Sequence, residues 1–168
     1  MTKRSIVTQT VLWLFVLSAG ILLGGSIFEG VVLTPLWAGS LPESVARWQY
    51  GSIQSRFFMV ATPLYGLFSL ALVIASWWMP TRQRKCALVA GLSGIVVIAA
   101  TSLFFLPILQ KTQATRGAGL SGEEITRLVN QFKTWHWGRW ALIIISWLAG
   151  LRALSLSSSV ESQRQGAI

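Results

Sequence analysis

The sequence predicts an all-α fold: a four-helix transmembrane bundle with a short amphipathic interfacial helix before the fourth span. Three observations predict it. Four apolar stretches each offer the about 20 residues that a helix needs to cross a bilayer. Hydrophobic residues make up 53% of the chain and charged ones only 11%, against about a quarter charged in a soluble domain. The nine tryptophans suit the boundary between headgroups and acyl chains, where indole rings settle. A chain of 168 residues has room for one domain, here residues 1–154, followed by a polar tail.

The first span is expected over residues 9–34 and meets no charge before Glu29. Lys3 and Arg4 ahead of an apolar run suggest a secretory signal, but the run continues through Ile21, Leu22 and Leu23. That exceeds the usual h-region of about 7–15 residues, so a retained anchor is expected. The second span, residues 57–79, closes on Trp77, Trp78, Met79 and Pro80; Pro63 inside it removes one helix hydrogen bond and points to a kink. The third covers residues 86–107 and stops at Pro107. The fourth covers residues 135–154, with Arg139 one turn inside its start.

The connections carry signals of their own. Ser40 and Glu43 have capping-box spacing, as do Ser121 and Glu124. Behind the second pair, Ile125, Leu128, Val129 and Phe132 recur at helical spacing and form one apolar stripe. This stripe predicts a short helix along the membrane interface that covers the end of the bundle. Gly20 and Gly24 in the first span, and Ala87, Ala90, Gly91 and Gly94 in the third, allow close helix approach. That spacing is common to bundles and does not argue for a homodimer. The tail, residues 155–168, is rich in Ser and Gln and is expected to be disordered.

The net charge of +9 could suggest nucleic acid. The basic residues instead sit at the ends of apolar runs, which makes anionic membrane lipids their partner. Cys86 is the single cysteine, so neither an internal disulfide nor a Cys-pair metal site is possible. Four spans put both termini on one side. Positive residues divide evenly between the sides, but Arg82, Arg84 and Lys85 crowd one short loop. The positive-inside rule weighs short loops most heavily. It favours cytoplasmic termini in the cell's inner (plasma) membrane.

Ionisable groups within a bilayer are costly unless paired or hydrated. Glu29 lies near the end of the first span, and His136 and Arg139 lie at the start of the fourth, three apart on one helical face. An even number of alternating helices puts all three in the same leaflet, with Arg56 at the start of the second span beside them. The residues alone leave three roles open for this trio: an internal ion pair holding the bundle, a catalytic or ligand-binding site, or a proton relay. Glu29 is the only acidic residue in any span and sits near an end, which disfavours a proton-coupled carrier. No metal or haem centre is expected, because there is one His and no Asp. Gly-x-Ser-x-Gly and phosphate-cradling glycine loops are missing too.

Three segments carry a family resemblance. They are Gly24 to Val32 followed by Pro35, Leu36 and Trp37; Phe104 to Pro107; and Trp135, His136, Trp137, Gly138 and Arg139. With the four-span layout they make the chain similar to the anthrone oxygenase-like family of small membrane proteins, whose bacterial branch is largely a domain of unknown function. That family places Asn or His three residues before the Arg. The resemblance implies oxidation of an apolar aromatic or quinone-type molecule by molecular oxygen, with no dedicated cofactor. On that view His136 is the general base, since an unperturbed imidazole titrates near pH 6.5. Arg139 would steady the developing enolate, and Glu29 would orient one of them. Trp37, Trp135, Trp137 and Arg56 would contact the substrate, although such tryptophans also serve as interface anchors. The alternative is a non-catalytic membrane module that binds lipid or a partner subunit.

Overall fold

A computed structural model describes residues 3–48, 51–114 and 117–165, with side chains described except at 3–4, 51–53, 114 and 158–165. Its described residues contain helices and no strand. Four helical stretches are long and apolar enough to cross a membrane: Ser5–Ala38, Gln54–Trp78, Thr81–Gln113 and Gly122–Ser157. They are spans one to four below, and they make this a membrane protein.

Spans one and three run past the points where the sequence was expected to stop them, and the reason is the same in both. Pro35 and Pro107 each stand at the first positions of a new α-helical segment, Thr34–Ala38 and Leu106–Leu109. Each segment follows a wide π-helical turn, Glu29–Leu33 or Thr101–Phe105. A proline at a helix start lacks an N–H that would have had no partner there anyway. The wide turn shifts the hydrogen-bonding register just ahead of it, so the rod continues instead of breaking. Pro63 is also accommodated: the helix Gly51–Ala75 runs through it.

The fourth span differs more. The apolar stripe does not form a separate interfacial helix, because one continuous helix covers Gly122–Gln165. Ser121 caps its start, accepting the Glu124 N–H at 3.2 Å. Ile125, Val129 and Phe132 are buried against Trp37, Val45, Phe105 and Ile108, so the stripe does cover the bundle's end, as the lower part of span four. At the other end the helix extends to Gln165, through most of the stretch read as a disordered tail; residues 166–168 lie outside the described residues. The expected cap at Ser40 is not made. Pro42 precedes the helix Glu43–Arg47 without a side-chain cap, and the Ser40 N–H instead meets Ser44 Oγ at 3.3 Å.

Neighbouring spans are antiparallel. Gly20 faces Trp147 and Gly150 faces Phe15 between spans one and four, while Gly91 and Gly94 face Ser69 between spans two and three. In lipid, close approach of small residues and buried hydrogen bonds hold such helices together. A Cβ on Gly91 would sit 2.9 Å from the Ser69 carbonyl oxygen, so glycine is required there. A Cβ on Gly24, expected to pack likewise, would meet nothing within 4 Å. A buried relay joins three spans: Tyr65 Oη donates to Ser146 Oγ at 2.6 Å, and Ser146 donates to the Ala90 carbonyl at 2.7 Å. The core divides into a cluster toward the termini, around Phe15, Tyr65 and Ile143, and a cluster at the far end around Trp37, Phe105 and Phe132. Between them lies a polar layer.

Candidate functional site

The polar layer begins with Glu29, the first residue of the π-helical turn in span one, which is only 1% exposed. Thr34 Oγ donates to the Glu29 carbonyl at 2.9 Å, five residues back, and so supports the wide turn. Arg139 in span four sends Nη2 to Glu29 Oε2 at 2.6 Å. The same Nη2 reaches Ser26 Oγ at 3.3 Å. The other carboxylate oxygen accepts from Gln54 Nε2 of span two at 2.5 Å. The pair is therefore not the two-bond fork that Arg and a carboxylate can form: one guanidinium nitrogen meets one oxygen, and the other oxygen is bonded to Gln54. Phe105 and Phe58 flank the guanidinium, at 5.0 and 5.6 Å from Cζ to ring centroid.

His136 is buried one turn before Arg139. Its Nε2 lies 3.4 Å from the Ser26 carbonyl oxygen, which also accepts from Trp140 Nε1 at 3.1 Å. Around the imidazole stand Trp140, Phe132 and Phe105, with ring centroids at 5.2, 5.3 and 6.4 Å. Span one can come this close because residue 30 is glycine. A Cβ there would collide with the Trp140 ring and lie 3.2 Å from His136 Nε2. Three polar atoms of the layer are buried without a hydrogen-bond partner among the described residues: His136 Nδ1, Arg139 Nε and Gln54 Oε1. Such atoms are rare in folded proteins, and each calls for an explanation.

The trio expected from the sequence thus shares one layer. Glu29 and Arg139 touch, while His136 joins them through Ser26. The expected substrate contacts do not assemble there. Arg56 is exposed, whereas Gln54, two residues earlier, points in. Trp135 and Trp137 are 58% and 69% exposed and face outward, as interface anchors do. Trp37 is fully buried in the far cluster, 5.5 Å from Phe132. Sequence reasoning missed Gln54, Trp140 and the role of Ser26. Ser26 lay within a quoted segment, Trp140 stood one residue beyond another, and a polar residue near the start of span two was the available signal for Gln54.

No group of three or more metal-ligand side chains gathers among the described residues. A groove of about 220 Å³ lies elsewhere, beside Gly39, Ser40, Arg47 and Trp48, and none of the trio lines it. No family model, curated protein or solved structure matches this chain.

Proposed function

We propose that this membrane protein takes an apolar aromatic molecule from the bilayer into the layer of Glu29, His136 and Arg139, and oxidises it as the anthrone oxygenase-like family it resembles would. The observation that carries this reading is the set of unpartnered atoms, His136 Nδ1 and Arg139 Nε above all. A layer built only to neutralise charge would have no use for a buried imidazole with a bare nitrogen, set among aromatic rings. Trp140, half-buried, stands between His136 and the lipid-facing Trp137, at 5.2 and 5.0 Å between ring centroids.

In this scheme His136 removes a proton from an acidic C–H of the substrate. Arg139, held by Glu29, steadies the negative charge that spreads onto the substrate's oxygen. The carbanion adds molecular oxygen, and loss of water from the resulting hydroperoxide leaves a carbonyl. Purified protein in detergent, supplied with anthrone, tests this by oxygen uptake and anthraquinone formation. His136→Ala should lower the rate by about 10²–10⁴-fold, the contribution of a general base. Equal rates in wild type, His136→Ala and empty detergent would refute the enzymatic reading.

A second reading has its own support. Both Glu29 carboxylate oxygens are bonded, and the Arg139 side chain is 5% exposed, which suits an ion pair acting as internal glue in a non-catalytic module. Under that reading His136→Ala lowers the melting temperature and no aromatic ligand restores it. Under the first, an aromatic ligand raises the wild-type melting temperature and does not raise that of His136→Ala. We further infer that the termini face the cytoplasm across the inner membrane, on the strength of the basic loop at Arg82, Arg84 and Lys85.

A further inference from the structure

The groove at the far end of span one is separate from the polar layer, and its chemistry does not depend on what that layer does. It holds about 220 Å³ and is lined by Ser40, Ser44 and Arg47 together with Pro35, Leu36 and Trp48. One permanent positive charge and two hydroxyls therefore border a common space, and no carboxylate does. Glu43, on the same short helix as Arg47, is not part of the lining. Arg47 Nε donates to the Glu43 carbonyl at 3.4 Å, and no acidic side chain among the described residues pairs with its guanidinium. Ser44 Oγ accepts the Ser40 N–H at 3.3 Å, which leaves its own hydrogen to donate. Such a set of donors suits a phosphate, whose oxygens accept from guanidinium and hydroxyl groups alike.

The position of the groove says what the phosphate belongs to. Phe28, Val32 and Leu36 are exposed and recur every fourth residue, so they form one lipid-facing strip along span one. That strip runs into the groove, because Leu36 also lines it. Apolar exposure on this face ends there, since Gly39 and Ser40 follow and the span itself closes at Ala38. The donors thus stand where hydrocarbon gives way to headgroups. The groove is also smaller than the about 300–1,000 Å³ of pockets that bury a whole drug-sized ligand. It suits one part of a molecule whose remainder lies outside, along the strip. A zwitterionic lipid would bring an ammonium to a groove with no carboxylate to receive it.

We propose that this groove binds the headgroup of one anionic phospholipid. The phosphate accepts from Arg47, Ser40 and Ser44, and an acyl chain lies along Leu36, Val32 and Phe28. Basic residues near a membrane surface attract anionic lipid in general; the groove adds two hydroxyls and an apolar track that fix one lipid in place.

The test uses the full chain in detergent micelles, with a fluorophore on Ala46→Cys in a Cys86→Ser background. Ala46 is exposed beside Arg47 and does not line the groove. The probes are phosphatidylglycerol and phosphatidylcholine carrying a nitroxide near the head of the acyl chain, which quenches the fluorophore on contact. Phosphatidylglycerol should half-saturate the quenching at an at least about tenfold lower mole fraction than phosphatidylcholine. Tenfold is about 1.4 kcal/mol, the scale of a hydrogen bond to a charged group. Arg47→Gln should abolish that preference, whereas Arg127→Gln, which removes another exposed charge of the same side, should keep it. Ser40→Ala with Ser44→Ala should weaken phosphatidylglycerol by about two- to tenfold. Equal quenching by the two lipids in wild type, or a preference that survives Arg47→Gln, overturns the proposal. Release of the quenching by inorganic phosphate, but not by chloride at the same ionic strength, would assign the groove to free phosphate and overturn the lipid.

Discussion

Glu29 has a bonded partner for each carboxylate oxygen, and that makes the consequences of changing it predictable. Replacing one member of a buried pair leaves the other charged and alone, at about 3–5 kcal/mol. Glu29→Gln should therefore destabilise the protein strongly in a denaturation titration from detergent micelles. The double change Glu29→Leu with Arg139→Met, which removes both charges, should lose much less. Gln54 and Arg56 make a second contrast. Gln54→Leu strips a donor from a buried carboxylate and should cost about 1–3 kcal/mol, whereas Arg56→Ala, at an exposed position, should stay within about 0.5. The sequence put Arg56 at the right depth, and depth was all that span counting could supply. Two residues on a helix of 3.6 per turn are about 200° apart, so when Gln54 faces the layer Arg56 must face away. Which face turns inward depends on packing among four helices, and an apolar span with no polar side encodes it weakly. His136 and Arg139 were readable as co-facial because their own spacing settles that question.

At the scale of the helix, existence and order were legible and the ends were not. Apolar length alone located all four spans, since hydrocarbon solvent leaves a backbone few alternatives to a helix. Pro35 and Pro107 looked like stops because proline disrupts a regular α-helix. The π-helical turns ahead of them, Glu29–Leu33 and Thr101–Phe105, reset the register and let both rods continue. Nothing in the residue pattern announces such a turn. The glycines divide for a related reason. Gly20 and Gly24 share a spacing, yet Gly24 has open space around it while Gly91 lies under the Ser69 backbone. Gly91→Ala should then destabilise by about 1–3 kcal/mol through overpacking, and Gly24→Ala should be neutral or slightly stabilising. Thermal unfolding of the two variants side by side measures the difference.

For the whole molecule, four alternating spans return the chain to its starting side and stack two apolar clusters around one charged layer. Even parity was read from the sequence without the structure, and it brought Glu29, His136 and Arg139 to one depth. Orientation rests on the short basic loop, and thiol accessibility tests it. In a Cys86→Ser background, Ala118→Cys on the far side should react with an impermeant maleimide in intact cells. Thr81→Cys, beside the basic loop, should react only after permeabilisation. The reverse pattern would invert the protein in its membrane and leave the bundle untouched.

The most direct test of the arrangement is the coupling between Glu29 and Arg139, taken from a double-mutant cycle. Unfolding free energies are measured in mixed micelles for wild type, Glu29→Gln, Arg139→Gln and the double variant. Residues sharing one buried salt-bridge network are expected to couple by about 0.5–3 kcal/mol, and a 2.6 Å contact on side chains at most 5% exposed belongs in the upper half of that range. Additivity to within about 0.5 kcal/mol would mean that the two charges do not meet, and the polar layer between the two clusters would go with them.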